Sequence, residues 1–177
     1  IYTVIIHTIR SNSMYEYRCK VLKVVDGDTA DVDIDLGFGI VLTDERVRLM
    51  GIDTPESRTS DKVEDLFGEA AKARLKELIA GTSGPILRTQ INKDGEDMKG
   101  KFGRILGDFS CYHAQTDSWR MATEILIEEG HAVPYMGGSK DDTQAAHEVN
   151  RQRLLEEGVV AQSDYDKQVE YMAKKNS

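Results

Sequence analysis

Val24-Val25-Asp26-Gly27-Asp28-Thr29-Ala30-Asp31-Val32-Asp33-Ile34-Asp35-Leu36 is the stretch whose reading decides the fold. From Thr29 to Leu36 it alternates with a period of two, with Ala30, Val32, Ile34 and Leu36 on one face and aspartates on the other. Successive strand side chains point to opposite faces, so the pattern predicts a strand with one buried face. Tyr17 to Val25, carrying Val21, Val24 and Val25, alternates more loosely. The tight-turn dipeptide Asp26-Gly27 between the two segments makes them a β-hairpin.

Further along, Glu45 to Ile52 predicts a third strand, with Val47 and Leu49 on one face and Arg46, Arg48 and Met50 on the other. A loop with Gly37 and Gly39 separates it from the second. After Pro55 the period becomes helical. Val63, Leu66, Phe67, Ala70, Ala71, Leu75, Leu78 and Ile79 recur at three- and four-residue steps, with Thr59 or Ser60 as cap and Gly81 as stop. Gly68 leaves open a later start for the regular helix. Pro85 to Asn92 and Arg104 to Phe109 predict two more strands, joined by the polar connection Lys93 to Gly103. A second helix is expected over Ser118 to Glu129, burying Ala122, Ile125 and Leu126. A third runs from Thr143 to Glu157, with Ala146, Val149 and Leu154 inward.

Three strands, a helix, two strands and then helices imply an α+β domain on a five-stranded OB-type β-barrel with about three helices. The expected organisation is an extension over 1–16, a domain over 17–160 and a polar tail over 161–177, frayed or weakly helical. The apolar stretch Ile1 to Ile9 lacks a basic leader and a small-residue cleavage site, so it is not read as a secretory signal. It is either an extra strand or sequence upstream of a start at Met14. Compartment stays undetermined.

The 177 residues suit one domain, and the 40% hydrophobic and 31% charged content is that of a folded globular chain. No apolar run reaches the roughly 20 residues of a membrane span. The net charge of -8 argues against holding nucleic acid by bulk electrostatics. Cys19 and Cys111 form no metal-type spacing, and His7, His113, His131 and His147 are too scattered to suggest zinc. Any function must therefore come from local arrangement.

The residues able to carry chemistry are Asp28, Arg48, Asp53, Thr54, Glu56 and Arg104. Pro55 stiffens the Asp53-Thr54-Pro55-Glu56 corner where the third strand ends. Two aspartates on neighbouring strand ends plus a carbonyl suit a hard cation such as calcium. A glutamate just beyond can orient or deprotonate a water. Arginine forks neutralise the equatorial oxygens of a phosphoryl group under attack. Singly, each residue has an ordinary reading as turn, strand exit or solvated face. Their joint order carries the argument.

V-V-D-G-D-T (24–29), R-L-M-G-I-D-T-P-E (48–56) and K-F-G-R-I-L (101–106), in that order, resemble the signature blocks of the staphylococcal nuclease family. A-T-E-I-L-I-E-E-G-H-A (122–132) is similar to the family's helix after the fifth strand, so the resemblance spans about Tyr17 to Glu157. It implies a calcium-dependent phosphodiesterase cutting DNA or RNA to 3′-phosphate ends, with unpaired strands preferred, acting as a monomer away from membranes. It also implies that Asp28, Asp53 and the Thr54 carbonyl bind Ca2+, that Glu56 is the general base, and that Arg48 and Arg104 grip the phosphate. Lys101, Phe102 and Tyr135 would contact substrate; Phe102 stands where the family prototype has a tyrosine. The loop Leu36 to Asp44 is longer than the prototype's. The alternative is a catalytically weak nuclease-like module that binds nucleic acid or a protein partner.

Overall fold

The structure is a computed structural model that describes residues 15–81, 84–91, 98–100, 103–135 and 137–176. The proposed extra strand at Ile1 to Ile9, most of the Lys93 to Gly103 connection, and both Lys101 and Phe102 lie outside these residues. The elements in chain order are β1 (Tyr15–Asp26), β2 (Thr29–Asp35), β3 (Val41–Leu49), β4 (Ile52–Asp53), α1 (Lys62–Ile79), β5 (Ile86–Thr89), β6 (Ile105–His113), β7 (Ser118–Met121), α2 (Ala122–Glu128), β8 (Val133–Pro134), α3 (Lys140–Glu156) and α4 (Gln162–Lys175).

β1 and β2 form the expected hairpin, with Asp26 opposite Thr29 across the Gly27 turn. The main sheet runs β3-β2-β1-β5-β6-β7, and β3 also pairs with β6 in parallel through Val47–Ile105 and Leu49–Gly107. That second pairing closes β1, β2, β3, β5 and β6 into a five-stranded barrel. Its interior holds Ala30, Val32, Ile34, Val47, Leu49, Leu87 and Phe109, roofed by Leu75 and Ile79 of α1 and Ile125 and Leu126 of α2. Each large apolar side chain buried in this way contributes about 1.5–3 kcal/mol. A second cluster, Phe67, Leu154 and Val160, joins α1 to the C-terminal helices.

Four details differ from the sequence expectations. Ser118 to Met121 is strand, because Trp119 and Met121 pair with Tyr112 and Ser110 of β6; α2 begins only at Ala122. α1 starts at Lys62, where Asp61 accepts from Val63 N and Glu64 N at 2.9 and 3.1 Å, so Gly68 lies inside the helix. The polar tail is a 14-residue helix whose Tyr165 ring packs on Phe67 at 6.2 Å. In α3, Val149 is 71% exposed and the buried residues are His147 and Leu154. That helix is anchored by a polar contact as well as an apolar one, which a hydrophobic pattern does not register.

Candidate active site

The hairpin register brings the first two residues together. Thr29 stands opposite Arg48 on β3, and Leu49 N donates to the Asp28 carbonyl at 2.8 Å. Asp28 therefore sits beside Arg48, and the two form an ion pair between Arg48 Nη1 and Asp28 Oδ2. Arg48 is further steadied by the carbonyls of Leu49 at 3.3 Å and Ile52 at 3.5 Å. Beyond β3 the chain turns through Gly51 into β4, whose Ile52 and Asp53 pair with Pro134 and Val133 of β8.

The corner after β4 rests on α1. A Cβ at Gly68 would collide with the Glu56 carbonyl oxygen and lie 2.7 Å from Ser57 N. A Cβ at Gly27 would lie 2.7 Å from Ala71 Cβ and 3.0 Å from Thr54 Oγ1. Only glycine permits helix, turn and corner to approach so closely. The Glu64 carboxylate accepts from Glu56 N at 3.3 Å, and Ser57 Oγ donates to Asp26. Backbone packing, not a flexible loop, sets where Glu56 stands.

One cleft of about 280 Å³ is lined by Asp26, Asp28, Thr29, Arg48, Asp53, Thr54, Pro55, Glu56 and Arg104. All six residues singled out for chemistry line it. A larger hollow of about 490 Å³ adjoins it, sharing Asp26, Thr29 and Arg104 and adding Arg46 and Arg58 among others. Arg46 is bidentate to Asp31 at 2.7 and 2.9 Å. Tyr135 lies past β8, with its N–H on the Gly51 carbonyl at 2.8 Å, and is not among the residues lining the smaller cleft.

Four carboxylates face two guanidiniums in this cleft. Burial pushes the Asp28 carboxyl above its ordinary value; Arg48 and the hydroxyls of Thr29 and Thr54 pull it back, and Asp53 adds to the rise. Glu56 is raised too, first by burial and then by the charges of Asp26, Asp28, Glu64 and Asp53. An acidic pocket short of compensating charge, offering only oxygen donors, fits a hard divalent cation. Among the described residues no three His, Cys, Asp or Glu side chains form a ready-made metal cluster. Asp28, Asp53 and Thr54, the residues that the family resemblance gives as cation ligands, all line the cleft.

A contact absent from the sequence reading completes the picture. His147 Nε2 lies 2.8 Å from Asp53 Oδ2, across 94 residues of chain. Its only sequence signal is the seven-residue spacing to Leu154, two helical turns along the buried stripe of α3.

Comparison with known proteins establishes the family. The profile of the family described as Staphylococcal nuclease homologue matches residues 46–164. The chain belongs to that family. It is 36% identical over 86 residues to the Thermonuclease of Staphylococcus intermedius, covering 49% of this chain and 44% of that protein. It is 34% identical over 110 residues to the SPbeta prophage-derived endonuclease YokF of Bacillus subtilis (strain 168), 62% of this chain and 31% of that one. Protein ParB of Escherichia coli is 33% identical over 99 residues, 56% and 45% respectively. The chain thus spans less than half the length of each of these relatives.

Proposed function

We propose that the chain is a calcium-dependent phosphodiesterase that hydrolyses DNA or RNA, as the names of its thermonuclease and endonuclease relatives suggest. The observation that carries the reading is the convergence of Asp28, Arg48, Asp53, Thr54, Glu56 and Arg104 on one cleft from four separate segments. Asp28, Asp53 and the Thr54 carbonyl would hold the cation, which when bound supplies positive charge against the phosphate.

The chain's own groups account for the rest. Arg48 and Arg104 line the cleft as forks for the non-bridging phosphate oxygens. Glu56, whose carboxyl is made more basic by burial and by neighbouring negative charge, takes the proton of the attacking water. The water oxygen bonds to phosphorus as the bond to the 5′ oxygen breaks, leaving a 3′-phosphate and a 5′ oxygen that takes a proton from solvent to become the 5′-hydroxyl. Arg104 neutralises charge on the departing oxygen. The adjoining hollow, which shares Arg104 and adds Arg46 and Arg58, gives a polymer room to continue past the scissile bond. A monomer suffices for all of this, and unpaired strands reach the cleft most readily. No helix among the described residues is long and apolar enough to cross a membrane.

The test is degradation of single- and double-stranded DNA and RNA with calcium, with magnesium and with chelator. Cleavage to 3′-phosphate ends in calcium alone is expected, with Glu56→Gln and Arg104→Ala losing on the order of 10²–10⁴-fold in turnover. Binding of oligonucleotide without cleavage under any cation would instead identify a nuclease-like binding module.

A further inference from the structure

His147 is buried on α3, and its imidazole reaches the Asp53 carboxylate. An ionised carboxylate only accepts hydrogen bonds, so Nε2 carries the proton and donates to Oδ2. Asp53 Oδ1 is left outside that bond. The helix is held in place nearby by Asn150 Nδ2, which donates to the Ala132 carbonyl at 3.3 Å, just before β8. β8 in turn pairs with β4, placing Val133 opposite Asp53. The Asp53 backbone is therefore held by strand pairing, and its carboxylate by a histidine from a distant helix.

Asp53 lines the cleft and His147 does not. The imidazole thus stands outside the cleft lining while holding one oxygen of a carboxylate that belongs to it. We propose that His147 is a positioning residue, fixing the Asp53 carboxylate so that its second oxygen is preorganised for a divalent cation. The proposal rests on the cation reading given above. Hydrogen bonds to ligating carboxylates and imidazoles from just outside a metal site typically govern 10–100-fold in affinity. The competing role is mere docking of α3, which buries only His147 and Leu154. Docking alone predicts a loss of stability but no specific loss of cation affinity.

Calcium titration by calorimetry, without substrate, separates the two for the wild type, His147→Leu and His147→Gln. Thermal melts in chelator report folding in parallel. His147→Leu is expected to weaken calcium binding by roughly 10–100-fold, and His147→Gln, which keeps an N–H donor, to recover part of it. A loss below tenfold for His147→Leu overturns the proposal, as does an equal loss in both variants. If His147→Leu melts below the assay temperature, His147→Asn, polar but shorter, takes its place under the same criteria. A wild type that binds no calcium overturns the cation reading itself, and this inference with it.

Discussion

Asp28 and Asp108 are the same residue in two settings, and both have carboxyls raised by burial. Asp28 is buried in the lining of a cleft, paired with the Arg48 cation and close enough to Asp53 to feel its negative charge. Asp108, on β6, has neutral donors as its hydrogen-bond partners among the described residues: Phe109 N at 2.7 Å, Thr123 N at 3.3 Å and the Thr123 hydroxyl. The N-cap residue of α2, Met121, makes no side-chain hydrogen bond to the helix end. Asp108 supplies the cap from the neighbouring strand instead. One aspartate is surrounded by unbalanced charge, and the other by donors that the fold would otherwise leave unmet. On the proposed function, the difference separates a group kept for chemistry from one kept for architecture.

The largest expected effect tests the chemical side. Asp28→Asn should lower cleavage in calcium by on the order of 10²–10³-fold, about 3–4 kcal/mol of transition-state stabilisation. Melting in chelator should hold or rise, because burial and Asp53 disfavour the Asp28 charge by more than Arg48 and the hydroxyls favour it. Retained cleavage together with a lower melting temperature would place Asp28 with the architectural group.

Asp108→Ala should behave in the opposite way. Its three donors lose their acceptor, so stability should fall by about 2–3 kcal/mol in denaturant titrations. Below the unfolding transition, cleavage should stay within about threefold of wild type, since Asp108 is not part of the cleft. A variant of normal stability that fails to cut would erase the distinction.

How well each aspartate can be read from sequence follows the same division. The place of Asp28 is legible because Asp26-Gly27 forces a turn just before the period of two that starts at Thr29, while its role is readable only from the joint order of the three sequence blocks. The barrel and the α1 stripe were readable for the same reason, since apolar spacing reports burial directly. Asp108 was not legible. Within Ile105-Leu106-Gly107-Asp108-Phe109 it alternates outward like any solvated strand residue, and nothing local says that α2 will set its N-terminus there. His147 was hidden similarly: the apolar residues of α3 suggested Ala146 and Val149 as the inner face, while the bond to Asp53 turns His147 inward. Gly68 looked like a helix interruption because its purpose, close passage of the Glu56 backbone, exists only in three dimensions. Polar and steric contacts between distant segments leave no periodicity behind.

A titration sharpens the comparison through pH. The Asp108 carboxyl is pushed up to about 6, with burial the largest cause. The unfolded chain releases that proton near the ordinary value of about 4. Between these values the folded state holds more protons than the unfolded state, so stability must fall as pH rises from about 4 to about 6 and then level off. Two pH units of such linkage amount to at most about 3 kcal/mol. Other raised carboxyls, Asp28 and Glu56 among them, contribute slopes of the same sign, so the total curve does not isolate Asp108. The difference between wild type and Asp108→Asn does. Asparagine keeps a carbonyl for the two amides but cannot titrate, so the stability of wild type relative to the variant should decline across that window in chelator. A difference curve that stays flat from about pH 4 to about pH 7 would mean that the three donors hold Asp108 as readily charged as it is in the unfolded chain.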